Sequence, residues 1–463
     1  MKTPNIKLIA LTKLMFTVFL ISSCSNFTDV DLPSSQLTAS AVFENKATAN
    51  AAMVDIYSKI RDKGLLTGYT TGLSRELGLY TDELQYFGIS GTAQANFYNN
   101  SLLGTGAEIT ELWNSSYNQI YSANSVLKGV EESNALSKED KNQLIGESLF
   151  IRALIHFYLT NCFGQIPYVT ETDYKKNSRL SKLTESEVNA LIKKDLEQAI
   201  IMLPLNYIGN ERLRPNRAAA QALLARLCLY TGQWEEASNY ASAVLNQSQI
   251  YVYPVTLDLM FLKDSRSTIW QLMPSVSGRN TYEGNTSIFA QGPPPSAAIS
   301  PELVKAFSSN DQRRTQWIKS VSNGSLTWYH ANKYKRQTTT ATSFEYSIVL
   351  RIAEQYLIRA ESRARTGDLI GAKEDLNKIR KNAGLENTLA VTSTEIIDAV
   401  LSERRLELFT EHGHRFFDLK RTGKLNTVLS DTKLQWKNTN RLLPLPESEL
   451  LLNTNLNPQN EGY

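Results

Sequence analysis

The chain has 463 residues, 42% of them hydrophobic and 21% charged, which excludes disorder over most of its length and supplies a large core. It carries 49 Lys and Arg against 46 Asp and Glu, and Lys2, Lys7 and Lys13 all precede the first acid, Asp29. Removing those three leaves 46 bases against 46 acids, with no basic stripe, which excludes a nucleic-acid binder.

The three lysines form a positive start, Leu14 to Ile21 a short apolar run, and Ser22-Ser23 precede Cys24. This pattern is a signal peptide over residues 1–23, too short to span a bilayer. Leu20-Ile21-Ser22-Ser23-Cys24 also resembles a bacterial lipobox, in which the chain is cut before the cysteine and the thiol takes a diacylglycerol. Acyl chains contribute about 0.8 kcal/mol per buried methylene, so such a chain is held firmly at a membrane. Residues 24–40 then read as a lipidated, flexible leash, and 41–463 as one domain.

Apolar residues at helical spacing predict helices over Phe43–Asp62, Ile109–Glu132, Lys138–Phe163 and Glu185–Leu203. Ser137 and Asp140 mark one start, Gly164 and Pro204 two stops. Two helix pairs follow, Asn216–Thr231 with Trp234–Leu245 and Ile348–Thr366 with Leu369–Ala383, about 216–245 and 348–383. Their turns, Gly232-Gln233 and Gly367-Asp368, and the alanines after them resemble tetratricopeptide units. The fold class is mostly α: a tetratricopeptide-like scaffold of helical hairpins with long irregular loops and a few short strands.

Two stretches break the helical pattern. Residues 65–106 are rich in Gly and Thr. Residues 247–342 hold Pro254, Pro274, Pro293-Pro294-Pro295 and Pro301, with strand-like pieces at Thr268–Leu272 and Ser325–Tyr329. Loops of that length on a helical scaffold usually carry function.

Four segments carry a family likeness. Gly146 to Tyr158, including Arg152, runs into Phe163-Gly164-Gln165-Ile166-Pro167. Glu403-Arg404-Arg405-Leu406-Glu407 is followed by Gly413-His414-Arg415-Phe416-Phe417-Asp418-Leu419. Leu443-Pro444-Leu445-Pro446 precedes the ending Asn457-Pro458-Gln459-Asn460-Glu461-Gly462-Tyr463, and the lipobox stands in front. In this order they resemble the SusD/RagB family. The resemblance implies a lipid-anchored, non-catalytic protein on the outer face of the outer membrane. It implies a SusC-like TonB-dependent transporter as partner and an oligosaccharide as ligand, with a peptide as the alternative in the RagB branch.

The charged residues divide by role. Arg152, Gly164, Pro167, Arg404, Arg405, Glu407, Arg415 and Asp418 read as structural. Glu403, Glu407 and Glu411 are like charges at i,i+4 spacing, which arginines must offset. His412 and His414 lack the i,i+4 spacing of a helical metal pair, so no metal is expected. A structural calcium, known in some relatives, has no recognisable loop here, and no cofactor is expected beyond the lipid on Cys24. Asp82 with Glu83 is the best carboxylate pair for the alternative of a glycoside hydrolase. Flat rings suit a sugar's C–H face in a partly wet site. Tyr80, Tyr86, Phe87, Tyr98, Tyr282, Phe289, Trp317, Trp328 and Tyr329, with Asp82, are therefore the candidate ligand-binding residues. Cys162 and Cys228, in apolar helical segments, read as buried small hydrophobes, with their pairing open.

Overall fold

The structure, a computed structural model, describes residues 39–463. The predicted signal peptide, Cys24 and nearly all of the leash lie outside the described residues.

Helix α1 (Lys46–Asp62) begins where the Asn45 side chain accepts from the Thr48 amide. Helix α2 (Leu73–Tyr80) is buried along its whole length. It lies inside the stretch read as irregular, because eight residues between glycine-rich turns show too little periodicity to be recognised. Helices α3 (Ala107–Glu132) and α4 (Lys138–Phe163) form an antiparallel pair. Ser137 caps α4 by accepting from the Asp140 amide, and Gly164 ends it with a φ of 76° that favours glycine. From Leu144 to Phe163, α4 is buried on almost every face, since α1, α3, α5 (Glu185–Met202) and α6 (Arg217–Tyr230) surround it.

The stack continues through α7 (Trp234–Leu245), α8 (Ile352–Thr366), α9 (Leu369–Asn382) and α10 (Ser393–Leu408). Alanines 218, 219, 222, 225, 237 and 241 are buried along the α6–α7 pair, where their small side chains bring the helix axes close. Helix α8 packs directly on α7 although about a hundred residues separate them in sequence. Residues 246–351 are thus an excursion from an otherwise continuous helical stack. Short helix α11 (His414–Arg421) closes the carboxyl-terminal part. No described helix is long and apolar enough to cross a membrane.

Six short strands serve the excursion: β1 (Leu84–Tyr86), β2 (Thr268–Leu272), β3 (Ala297–Ile299), β4 (Ile318–Ser322), β5 (Thr327–Ala331) and β6 (Ser347–Arg351). The helix expected over Ile348–Thr366 begins only at Ile352. Its first residues form β6 instead, where Ile348, Val349 and Leu350 are buried and pair antiparallel with β2. β2 and β6 tie together the two ends of the excursion. β1 pairs with β3, Leu84 opposite Ile299, so the two stretches read as irregular meet in one small sheet. Cys162 and Cys228 are both buried free thiols, and no disulfide joins them.

Buried ion pairs pin these parts together. Arg152 grips Asp195 through two bonds of 2.6 and 2.7 Å and Asn124 through a third, fastening α4 to α5 and α3. Pro167 accepts from the Tyr117 hydroxyl at 2.9 Å. The acids of α10 and of the turn after it meet cations from the excursion: Arg313 bonds Glu403 and Glu407, Arg351 bonds Glu407 and Glu411, and Lys333 bonds Glu411. Arg404 and Arg421 both reach Asp418 at 2.8 Å. The like charges along α10 are therefore offset by tertiary partners, and the excursion is clamped to the stack.

Candidate functional site

Four of the candidate ligand-binding residues are core. Tyr80 is 0% exposed, donates its hydroxyl to the Asn440 carbonyl at 3.1 Å and is ringed by Phe97, Phe416 and Trp436. Trp317 is 0% exposed and donates its indole N–H to the Leu257 carbonyl. Phe289 is buried edge-on against His330. All three rings are packed into the interior by elements distant in sequence.

Asp82 is the fourth correction. Arg415 bonds both of its carboxylate oxygens at 2.8 Å, and Arg405 bonds one of them at 2.8 Å. Burial alone would raise this carboxyl, yet Arg415 and Arg405 hold it below the usual 3.8. Asp82 fastens the turn after α2 to α10 and α11. Glu83 beside it is fully buried, accepts from the Thr410 amide at 3.3 Å, and is lifted to about 7 by burial and by Asp82. The carboxylate pair weighed for glycoside hydrolysis is thus buried, with Asp82 already engaged by two arginines. No group of three or more His, Cys, Asp or Glu among the described residues is placed to hold a metal.

The remaining aromatics stay nearer the surface. Tyr86 is half-buried; its hydroxyl lies 2.6 Å from the Thr92 hydroxyl and donates to the Ile89 carbonyl, shaping the loop between them. Phe87 is 38% exposed at the end of β1, with its amide donating to Ser296. Tyr98, also half-buried, lies under the Lys433 ammonium at 4.0 Å. On the β4–β5 hairpin, Trp328 is half-buried against Gly292, where an added Cβ would come within 2.0 Å of the ring. Tyr329 packs partly into the core.

Tyr282 belongs to a formed recess of about 410 Å³, lined by Tyr69, Arg279, Asn280, Thr281, Asn285 and residues 337–339. Tyr69 and Tyr282 stack at 3.7 Å between centroids, 23° from parallel. The Tyr282 hydroxyl donates to Asp62 at 3.0 Å, and burial, Tyr69 and Asp62 push its pKa up to about 12. Asn280 spans the recess wall, donating to the Thr338 carbonyl and accepting from the Phe344 and Glu345 amides. Asn285 donates to the Gln337 carbonyl at 3.1 Å, and Gln337 to that of Ile288 at 2.7 Å. The Thr338 and Thr339 hydroxyls and the exposed Arg279 guanidinium have no hydrogen-bond partner among the described residues. A braced aromatic stack with unengaged polar groups beside it offers one apolar face and several donors.

The sequence reading found Tyr282 but missed Tyr69, Arg279, Asn280, Asn285 and residues 337–339. Tyr69 carried a signal: it is the one aromatic in Gly68-Tyr69-Thr70-Thr71-Gly72, a turn in the first irregular stretch. The others are ordinary polar residues of the second stretch, Asn285 in a short helical turn, and only the folding of residues 279–285 against 337–339 collects them.

Comparison with known proteins agrees with this architecture. Residues 47–229 match a SusD-like family model described as "Starch-binding associating with outer membrane", and residues 306–463 match the SusD family. SusD-like protein P25 of Formosa agariphila is 24% identical over 97% of this chain and 98% of its own length. A SusD superfamily protein from Bacteroides vulgatus superposes with a TM-score of 0.80 at 21% identity, covering 91% of this chain and all of that one. A laminarin-binding SusD-like protein superposes with a TM-score of 0.76 at 24% identity over 90% of this chain and all of its own.

Proposed function

We propose that this chain, which belongs to the SusD/RagB family, captures an oligosaccharide at the outer membrane and delivers it to a SusC-like TonB-dependent transporter without chemical change. The observation that carries this reading is the recess: stacked Tyr69 and Tyr282 beside Arg279, Thr338 and Thr339. A sugar lays its C–H face on such a ring while neighbouring donors meet its hydroxyls. The starch-binding description of the matched family and the laminarin-binding relative support the same ligand class. Anchoring rests on Cys24: acyl chains on its thiol tether the body to the outer membrane at the cell surface. Affinity at the recess alone is modest, because the transporter shares the captured ligand.

The test is affinity electrophoresis against neutral and acidic polysaccharides, with extended peptides as the counter-arm. At least one polysaccharide retards the protein, and Tyr69→Ala and Tyr282→Ala each weaken that retention about 10-fold. Retention untouched by either change, preference for peptides, or release of shortened sugar products overturns the reading.

A further inference from the structure

Six arginines are buried among the described residues: Arg75, Arg152, Arg226, Arg313, Arg351 and Arg404. Five of them bond a carboxylate at 2.9 Å or less. Arg75 bonds none. Its Nη2 donates to the Ser296 hydroxyl at 2.8 Å, its buried Nε has no partner, and its Nη1 makes no hydrogen bond among the described residues. A guanidinium held this deep without a counter-charge is unfavourable unless something pairs with it.

Arg75 lines a cavity of about 40 Å³, with Ser74, Leu84, Glu283, Ala298 and His330 among its walls. The acids and the other cation around this space are already engaged. Glu283 receives the Ser347 hydroxyl on both oxygens, and Glu411 is bound by Arg351 and Lys333. Burial lowers the Arg75 pKa to about 10, with only Tyr86 opposing that effect and no acid contributing. Two wall residues, Gly68 and Glu283, are the chain neighbours of Tyr69 and Tyr282 in the recess. The space is of a size for a small group, and a guanidinium fork matches a carboxylate through two parallel bonds.

We infer that the glycan held on this face is acidic, and that a uronate carboxylate enters the cavity to pair with Arg75. This rests on the glycan-capture reading and adds to it the class of sugar. Arg75 is here a specificity residue, reading the carboxylate while the tyrosine stack reads the ring.

The experiment is calorimetric titration of the full mature chain with oligogalacturonate, oligoalginate, their carboxyl-reduced counterparts and laminarin oligosaccharides. An acidic oligosaccharide is expected to bind about 10- to 100-fold more tightly than its carboxyl-reduced form. Arg75→Gln abolishes that difference while binding of the reduced form is unchanged, and Arg75→Lys restores part of it. Equal binding of acidic and reduced forms by the wild type overturns the inference, and that comparison decides it even if Arg75→Gln does not fold. A preference that survives in a folded Arg75→Gln also overturns it. Laminarin bound as tightly as any acidic oligosaccharide defeats this inference and leaves glycan capture standing. Failure of every saccharide to bind defeats both.

Discussion

Asp82→Asn separates a structural carboxylate from a ligand-binding one. The native side chain takes three charge-assisted bonds of 2.8 Å, two from Arg415 and one from Arg405. Its own side chain is 5% exposed, and the two arginines are 13% and 20% exposed. Asparagine keeps the shape but removes the charge and turns an amide N–H₂ toward guanidinium donors. Breaking a buried pair by removing one partner costs about 3–5 kcal/mol; the residual exposure of the arginines places this case near 3. That is a large share of the roughly 5–15 kcal/mol that holds a domain together. Equilibrium urea unfolding, read through the fluorescence of buried Trp270 and Trp317, should show a lower midpoint at unchanged slope. Saccharide retention by the folded fraction should match the wild type. An unchanged midpoint with retention lost would refute this reasoning and return Asp82 to the binding site. The pH sign follows from its lowered carboxyl: the contribution is present above the unfolded value of 3.8 and is lost as pH falls through the folded one.

Glu83 gives the opposite slope. Burial and Asp82 lift it from 4.5 to about 7, so the folded state keeps a proton that the unfolded chain has released. Its contribution to stability therefore falls as pH rises from 4.5 to about 7. In Glu83→Gln the unfolding midpoint should depend less on pH across that window; an identical dependence would contradict the assignment. Arg313→Leu removes the guanidinium shared by Asp311, Glu403 and Glu407. It should destabilise by about 3–5 kcal/mol and expose residues 247–342 to limited proteolysis; an intact digest pattern with an unmoved midpoint would show that this clamp is dispensable.

Much of the scaffold was legible in the sequence. Helix bounds at Lys138–Phe163 and Trp234–Leu245 coincide with the structure, because 3.6-residue periodicity, a serine cap and a glycine stop are local signals. β2 at Thr268–Leu272 was equally clear, whereas β5 lies two residues later than expected, at Thr327–Ala331. Gly324 makes the hairpin turn there, with a φ of 93°.

What local pattern did not contain is partnership. The acids of α10 and the turn after it were visible as like charges in need of cations, but Arg313, Lys333 and Arg351 come from a distant excursion. Tyr80 and Tyr282 are the same residue type in similarly irregular stretches, yet one is sealed by Phe97, Phe416 and Trp436 and the other stacks on Tyr69 in a recess. Burial of a loop side chain depends on which other elements cover it, and that is a property of the closed chain. The sequence by itself determined the helical scaffold, its breaks and the family, since each follows from spacing within one segment. Only the tertiary structure decided which rings remain open and which arginine lacks a partner, since both follow from contacts between segments far apart along the chain.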